Sequence, residues 1–145
     1  MLKGIDPVLS ADLLWVLDAM GHGDDLALVD ANHPAETIAA ATASKRLVRL
    51  PGVTMERAAR AILSVLPLDD FEPAPARRME VVGAPAEIPE VQRRVQAEIG
   101  PAPKLVGIER FAFYEAAKKA FAVVQAGDPR PYGCFLLRKG VIAGS

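Results

Sequence analysis

At 145 residues the chain bounds one domain, residues 1–145, with room for a core of its own. It is 51% hydrophobic, and its 17 Lys and Arg are interspersed with 18 Asp and Glu, which leaves neither a basic stripe for nucleic acid nor a polybasic helix for a membrane surface. No apolar run nears the roughly 20 residues of a membrane span, and the lone Cys134 excludes an internal disulfide and fits a reducing, cytoplasmic setting.

Ser10 reads as the N-cap of a helix with Asp12 in its first turn and Leu13, Leu14, Leu17 and Met20 at helical spacing, stopped by Gly21. Residues 25–30 read as a strand, Leu26-Ala27-Leu28-Val29 being apolar without a break and therefore buried on both faces. Pro34 opens a short helix through the alanines to Thr42. Residues 45–50 read as a strand closed by Pro51-Gly52, and Thr54 caps a helix carrying Ala58, Ala59, Ile62, Leu63 and Leu66 that Pro67 ends.

Residues 68–78, with Pro73 and Pro75, form the least regular part, and residues 79–82 read as a strand. Pro89 opens a helix with Val91, Val95 and Ile99 on one face. Residues 104–108 read as a strand, Phe113, Ala116, Ala117 and Ala120 mark a helix, and residues 121–125 and 132–137 read as two strands. Strands alternating with helices predict a single three-layer α/β/α domain with a largely parallel sheet. The short connection at 127–131 predicts that the last strand is antiparallel and pairs with the one before it.

In such sheets ligands sit beyond the carboxyl ends of the strands. Asp30 ends the first strand, Arg110 follows the strand at 104–108, and Tyr132 begins the last strand at the same rim. A carboxylate, a guanidinium and a phenol there suit a polyhydroxylated neutral ligand, since the first accepts, the second donates and the third does both. His22 precedes the first strand, so about 17 Å of chain separates the two rims. That conflict predicts a closed homo-oligomer in which His22 completes a neighbouring copy's site. His33 lies on the Asp30 rim and is the better proton donor within one chain; its other role is a contact at the helix start beside Pro34. Tyr114 divides between core and ligand contact. Cys134 reads as a small buried hydrophobe, Phe111 and Phe113 as core, and Arg93 and Arg94 as a solvated helix face.

Taken in order, Gly21-His22-Gly23-Asp24, Asp30-Ala31-Asn32-His33-Pro34, Arg110-Phe111-Ala112-Phe113-Tyr114-Glu115 and Tyr132-Gly133 resemble the L-fucose mutarotase / D-ribose pyranase family, nearest its fucose branch. The resemblance runs over nearly the whole chain. It implies an isomerase that interconverts the α and β anomers of a free monosaccharide. It also implies no cofactor, and ring-like oligomers, often decamers, with sites at subunit contacts. The family's proton donor falls on His22 and its sugar-binding positions on Asp30, Arg110, Tyr132 and Gly133. Where the family motif continues Tyr-Gly-Asn, this chain has Cys134, whose thiol is a weak donor and acceptor, so this position bears on which sugar is taken.

Two other functions compete. A non-catalytic monosaccharide-binding or regulatory protein would need no histidine at its ligand. A metal site on His22, Asp24, Asp30 and His33 matches no compact ligand spacing. A nucleotide loop is excluded by order, since Gly21-His22-Gly23 precedes a strand rather than following one.

Overall fold

The computed structural model describes residues 1–144. In chain order the elements are α1 (Ala11–Ala19), β1 (Asp25–Val29), α2 (Ala35–Ala41), β2 (Leu47–Leu50), α3 (Met55–Leu63), β3 (Ala76–Met79), α4 (Glu90–Ile99), β4 (Val106–Ile108), α5 (Arg110–Lys118), β5 (Ala122–Ala126) and β6 (Phe135–Arg138). The caps follow local chemistry. The Ser10 hydroxyl accepts from the Leu13 amide and Thr54 from Arg57, while Glu109 accepts from the amides of Phe111 and Ala112 at the start of α5.

The six strands lie in the order β2-β5-β1-β6-β3-β4, with every pairing parallel except the two made by β6. Alternating residues of β1 explain the three layers. Leu26 and Leu28 point into a core with α1, α3 and α4; Ala27 and Val29 point into a second core with α2 and α5. The layered α/β fold expected from the sequence is the one observed.

Three expectations are corrected. The last strand is antiparallel, but it does not pair with β5; β1 lies between them. The connection 127–134 crosses the end of β1, where the Ala31 amide donates to the Asp128 carbonyl at 2.9 Å. The strand expected at 79–82 lies at Ala76–Met79 instead, and Val81 and Val82 belong to a tight turn through Gly83 (φ 78°). Arg77 and Arg78 disguise this strand as loop. In the fold Arg77 pairs with Asp25 at 2.6 Å, and Arg78 donates to the Gln92 side chain. Tyr132 likewise lies outside β6, in the turn before it with φ 62°.

Asp128 fixes that crossing. Its carboxylate accepts from the Met55 amide at the start of α3 (2.8 Å) and from Arg130 Nε (3.0 Å). The Arg130 hydrogen bond holds the Asp128 pKa down to about 2, with burial opposing and the Met55 amide adding to the effect. A carboxyl with a folded pKa below its unfolded value contributes stability above about pH 4 that is lost as the pH falls towards 2. Asp128→Asn is therefore expected to lower stability by about 2 kcal/mol at pH 7 and to flatten the acid limb of the stability curve. Urea unfolding at pH 7 and pH 3 measures both effects.

Candidate functional site

The carboxyl ends of β1, β3 and β4 and the start of β6 meet at one rim, because β6 runs opposite to the rest. A cavity of about 270 Å³ opens there. Asp30, His33, Arg110, Tyr114, Tyr132 and Cys134 line it, joined by Asn32, Met79 and Pro131. Of the residues singled out in the sequence, only His22 lies elsewhere and Gly133 acts from behind the wall.

Asp30 is the anchor. It is 3% exposed, one step past β1. Its Oδ1 accepts from the Asn32 amide and its Oδ2 from the Gly133 amide, each at 3.0 Å, and the Cys134 thiol lies 3.5 Å from Oδ2. Burial pushes the Asp30 pKa up, and those donors hold it back. A Cβ on Gly133 would come within 3.3 Å of Asp30 Cβ, so the close approach that makes this hydrogen bond favours glycine.

Around Asp30 the wall is built from several elements. Cys134 is buried, as expected, and its sulfur lies 3.5 Å from His33 Nδ1 as well as from Asp30 Oδ2. Burial first, then the charge of Asp30, raises its pKa well above the ordinary thiol range. His33 is buried against the rings of Phe113 and Tyr114, and its Nε2 has no partner among the described residues. Burial alone lowers its pKa to about 4. It is therefore a neutral imidazole at pH 7, while its backbone carbonyl accepts from the Ala35 amide at the start of α2. Arg110 stands exposed at the start of α5 and donates from Nε to the Tyr114 hydroxyl at 3.3 Å. Phe111, expected in the core, is 66% exposed beside it. The Tyr132 hydroxyl accepts from the Val82 amide (3.3 Å), and its carbonyl accepts from Gln92 (3.0 Å), a fully buried side chain that also donates to the Met79 carbonyl. The loop carrying Tyr132 is thus tied to β3.

His22 lies before β1, at the far end of that strand from Asp30, as the chain order required. Its Nε2 bonds Asp69 Oδ1 at 3.0 Å, its ring packs against Phe71 (centroids 5.2 Å apart), and its side chain is 45% exposed. Burial raises the pKa of Asp69, but the Phe71 amide and His22 outweigh it and lower it overall. Asp69 was invisible in the sequence because it lies 47 positions from His22. Asn32 carries a local signal, the Asx turn two residues after Asp30. Among the described residues no group of three His, Cys, Asp or Glu side chains is placed to hold a metal ion. No helix there is long and apolar enough to cross a membrane.

Comparison with known proteins bears on this arrangement. Residues 3–142 match the model of the RbsD / FucU transport protein family. The chain is 38% identical over 145 residues to the L-fucose mutarotase of Histophilus somni, covering 97% of each chain. It is 40% identical over 148 residues to the human fucose mutarotase, covering 98% of this chain and 95% of that one. The crystal structure of the Streptococcus pneumoniae fucose mutarotase in complex with L-fucose superposes with a TM-score of 0.87 at 34% identity, covering 98% of this chain and all of that one.

The buried His33 has a sign to its pH dependence. Its folded pKa lies below its unfolded value, so the unfolded chain binds the proton first and stability falls as the pH drops from about 6.5 to about 4. In an NMR titration the His33 ring signals are expected to move with a midpoint near pH 4, and His33→Gln to remove that part of the acid destabilisation. The Cys134 thiol is expected to resist a disulfide reagent at pH 8 in the folded protein and to react at once in denaturant.

Proposed function

The chain belongs to the RbsD / FucU transport protein family, and from that premise we propose that it is a sugar mutarotase, interconverting the α and β anomers of L-fucose or a related free pyranose. The observation that carries this reading is the cavity at the rim of β1. There a buried carboxylate, an exposed guanidinium and two phenols converge on a space at the small end of ligand pockets. The relatives named as fucose mutarotases supply the reaction class.

The chemistry needs two proton transfers. An acid protonates the ring oxygen while a base takes the proton of the anomeric hydroxyl, and the bond between the anomeric carbon and the ring oxygen breaks to give the aldehyde. Rotation about the bond to the neighbouring carbon and the reverse transfers close the ring on the other face, with no net change of atoms or charge. The reaction so written asks for no cofactor. Asp30 retains lone pairs beyond those its fixed donors occupy, so it orients sugar hydroxyls and assists as base. Arg110, Tyr114 and Tyr132 hold hydroxyls at the mouth. The sulfurs of Met79 and Cys134 suit an apolar edge of the sugar, such as a methyl substituent.

His33 is poorly suited to the acid role, because a group with a pKa of about 4 carries almost no proton at pH 7. His22, exposed and backed by the Asp69 carboxylate, takes that role in this proposal. It reaches a sugar only in a neighbouring copy's cavity, so the proposal includes a ring-like homo-oligomer, decameric as the family resemblance implies, in the cytoplasm. Exposed aromatic residues support contact at both places: Phe71 (71% exposed) stands beside His22 and Phe111 beside Arg110.

Saturation-transfer NMR on L-fucose, with ribose, galactose and rhamnose as comparisons, tests the reading. Wild type is expected to exchange the anomeric proton signals, and His22→Ala to slow that exchange by about 10²–10⁴-fold while still binding sugar. Exchange that survives in His22→Ala moves the donor to His33. Binding without exchange in wild type makes the protein a monosaccharide binder.

A further inference from the structure

A second cleft, of about 330 Å³, lies on the other face of β3 from the sugar cavity, between α4 and the loop that leads into β4. Three cationic side chains line it, Arg78, Arg93 and Lys104, and no acidic side chain does. Arg78 sits at its floor, only 7% exposed. Its five N–H donors make two hydrogen bonds, from Nη1 to Gln92 at 3.3 Å and from Nη2 to the Pro85 carbonyl at 3.0 Å. Its Nε has no partner, and among the described residues no carboxylate forms an ion pair with it. The Glu80 carboxylate makes no direct ion pair with it but stands near: Glu80 Oε2 and Arg78 Nη2 each lie 3.0 Å from the point a Cβ on Gly107 would occupy, so the two side chains pass over that glycine together.

A buried guanidinium that no carboxylate pairs with directly is costly, and an anion that completes its hydrogen bonds lowers that cost. The cleft around it is built rather than frayed. Gln96 donates to the carbonyls of Gly100 and Pro103 and accepts from the Leu105 amide, which fixes the loop against α4. Arg93 donates to the Ile88 carbonyl and stands exposed at the rim. Arg and Lys together, a planar fork and a point charge, match phosphate oxygens. The volume exceeds that of a bare ion and suits a phosphate carried on a small molecule. The geometry points to a phosphate-binding site here, separate from the sugar cavity, with Arg78 as its anchor and Arg93 and Lys104 as its flanking cations.

Calorimetric titration of the intact protein with inorganic phosphate and with galactose 1-phosphate, at low ionic strength, tests it. Both probes are expected to bind saturably, and the double variant Arg93→Gln/Lys104→Gln to weaken them about tenfold or more. Those two side chains lie at the surface, so the variant keeps its fold even where Arg78→Gln does not. Tighter binding of galactose 1-phosphate than of phosphate identifies a phosphorylated small molecule as the ligand class; equal binding identifies free phosphate. Absence of saturable binding overturns the site, as it would if an acidic side chain of a second copy filled it. Unchanged affinity in the double variant, or displacement of either probe by L-fucose, also overturns it by placing the anion elsewhere.

Discussion

Asp30 is the residue on which the site depends. It ends a strand buried on both faces, where an unpaired carboxylate would be expelled or protonated. Two backbone amides from different parts of the chain meet it instead, Asn32 just after β1 and Gly133 just before β6. These bonds satisfy the charge and at the same time close the two loops over the strand ends. Removing the carboxylate would therefore free both loops as well as strip the cavity of an acceptor, so the lining and its local order are coupled through one side chain.

The placement of β6 makes that meeting possible. By passing over the end of β1 and inserting antiparallel between β1 and β3, the last strand brings its first residues to the rim where the parallel strands finish. Asp128 holds the crossing from below and Gln92 holds it from the side of β3, so Tyr132 is supported at two points although it lies in a turn. The two faces of β3 then carry different chemistry. Met79 faces the cavity at the end of β1, and Arg78 faces the cationic cleft beside α4.

Much of this was legible in the sequence. The Ser10 and Thr54 caps, the unbroken apolar run of β1 and the alternation of strands and helices are local signals, and they set the layers. Asp30, Arg110 and Tyr132 could be placed at one rim from chain order alone, because parallel strands all end on the same side. What stayed hidden is non-local or disguised. No local pattern says that β1 separates β5 from β6. Arg77 and Arg78 look like loop residues until Asp25 and Gln92 are seen to receive them. Asp69 backs His22 across 47 positions. The contacts of Cys134 with Asp30 and His33 span about a hundred residues and leave no spacing to read.

The proposed reaction rests on two residues of one chain that serve different cavities, and subunit mixing tests this most directly. His22→Ala chains and Arg110→Met chains, each unable to exchange anomers alone, would be unfolded, combined and reassembled. A site shared between copies predicts that the mixture regains about a quarter of the wild-type exchange rate, the fraction of contacts at which an intact His22 meets an intact Arg110. A mixture as inactive as its parts, from assembled and folded protein, would contradict a donor supplied by the neighbouring copy.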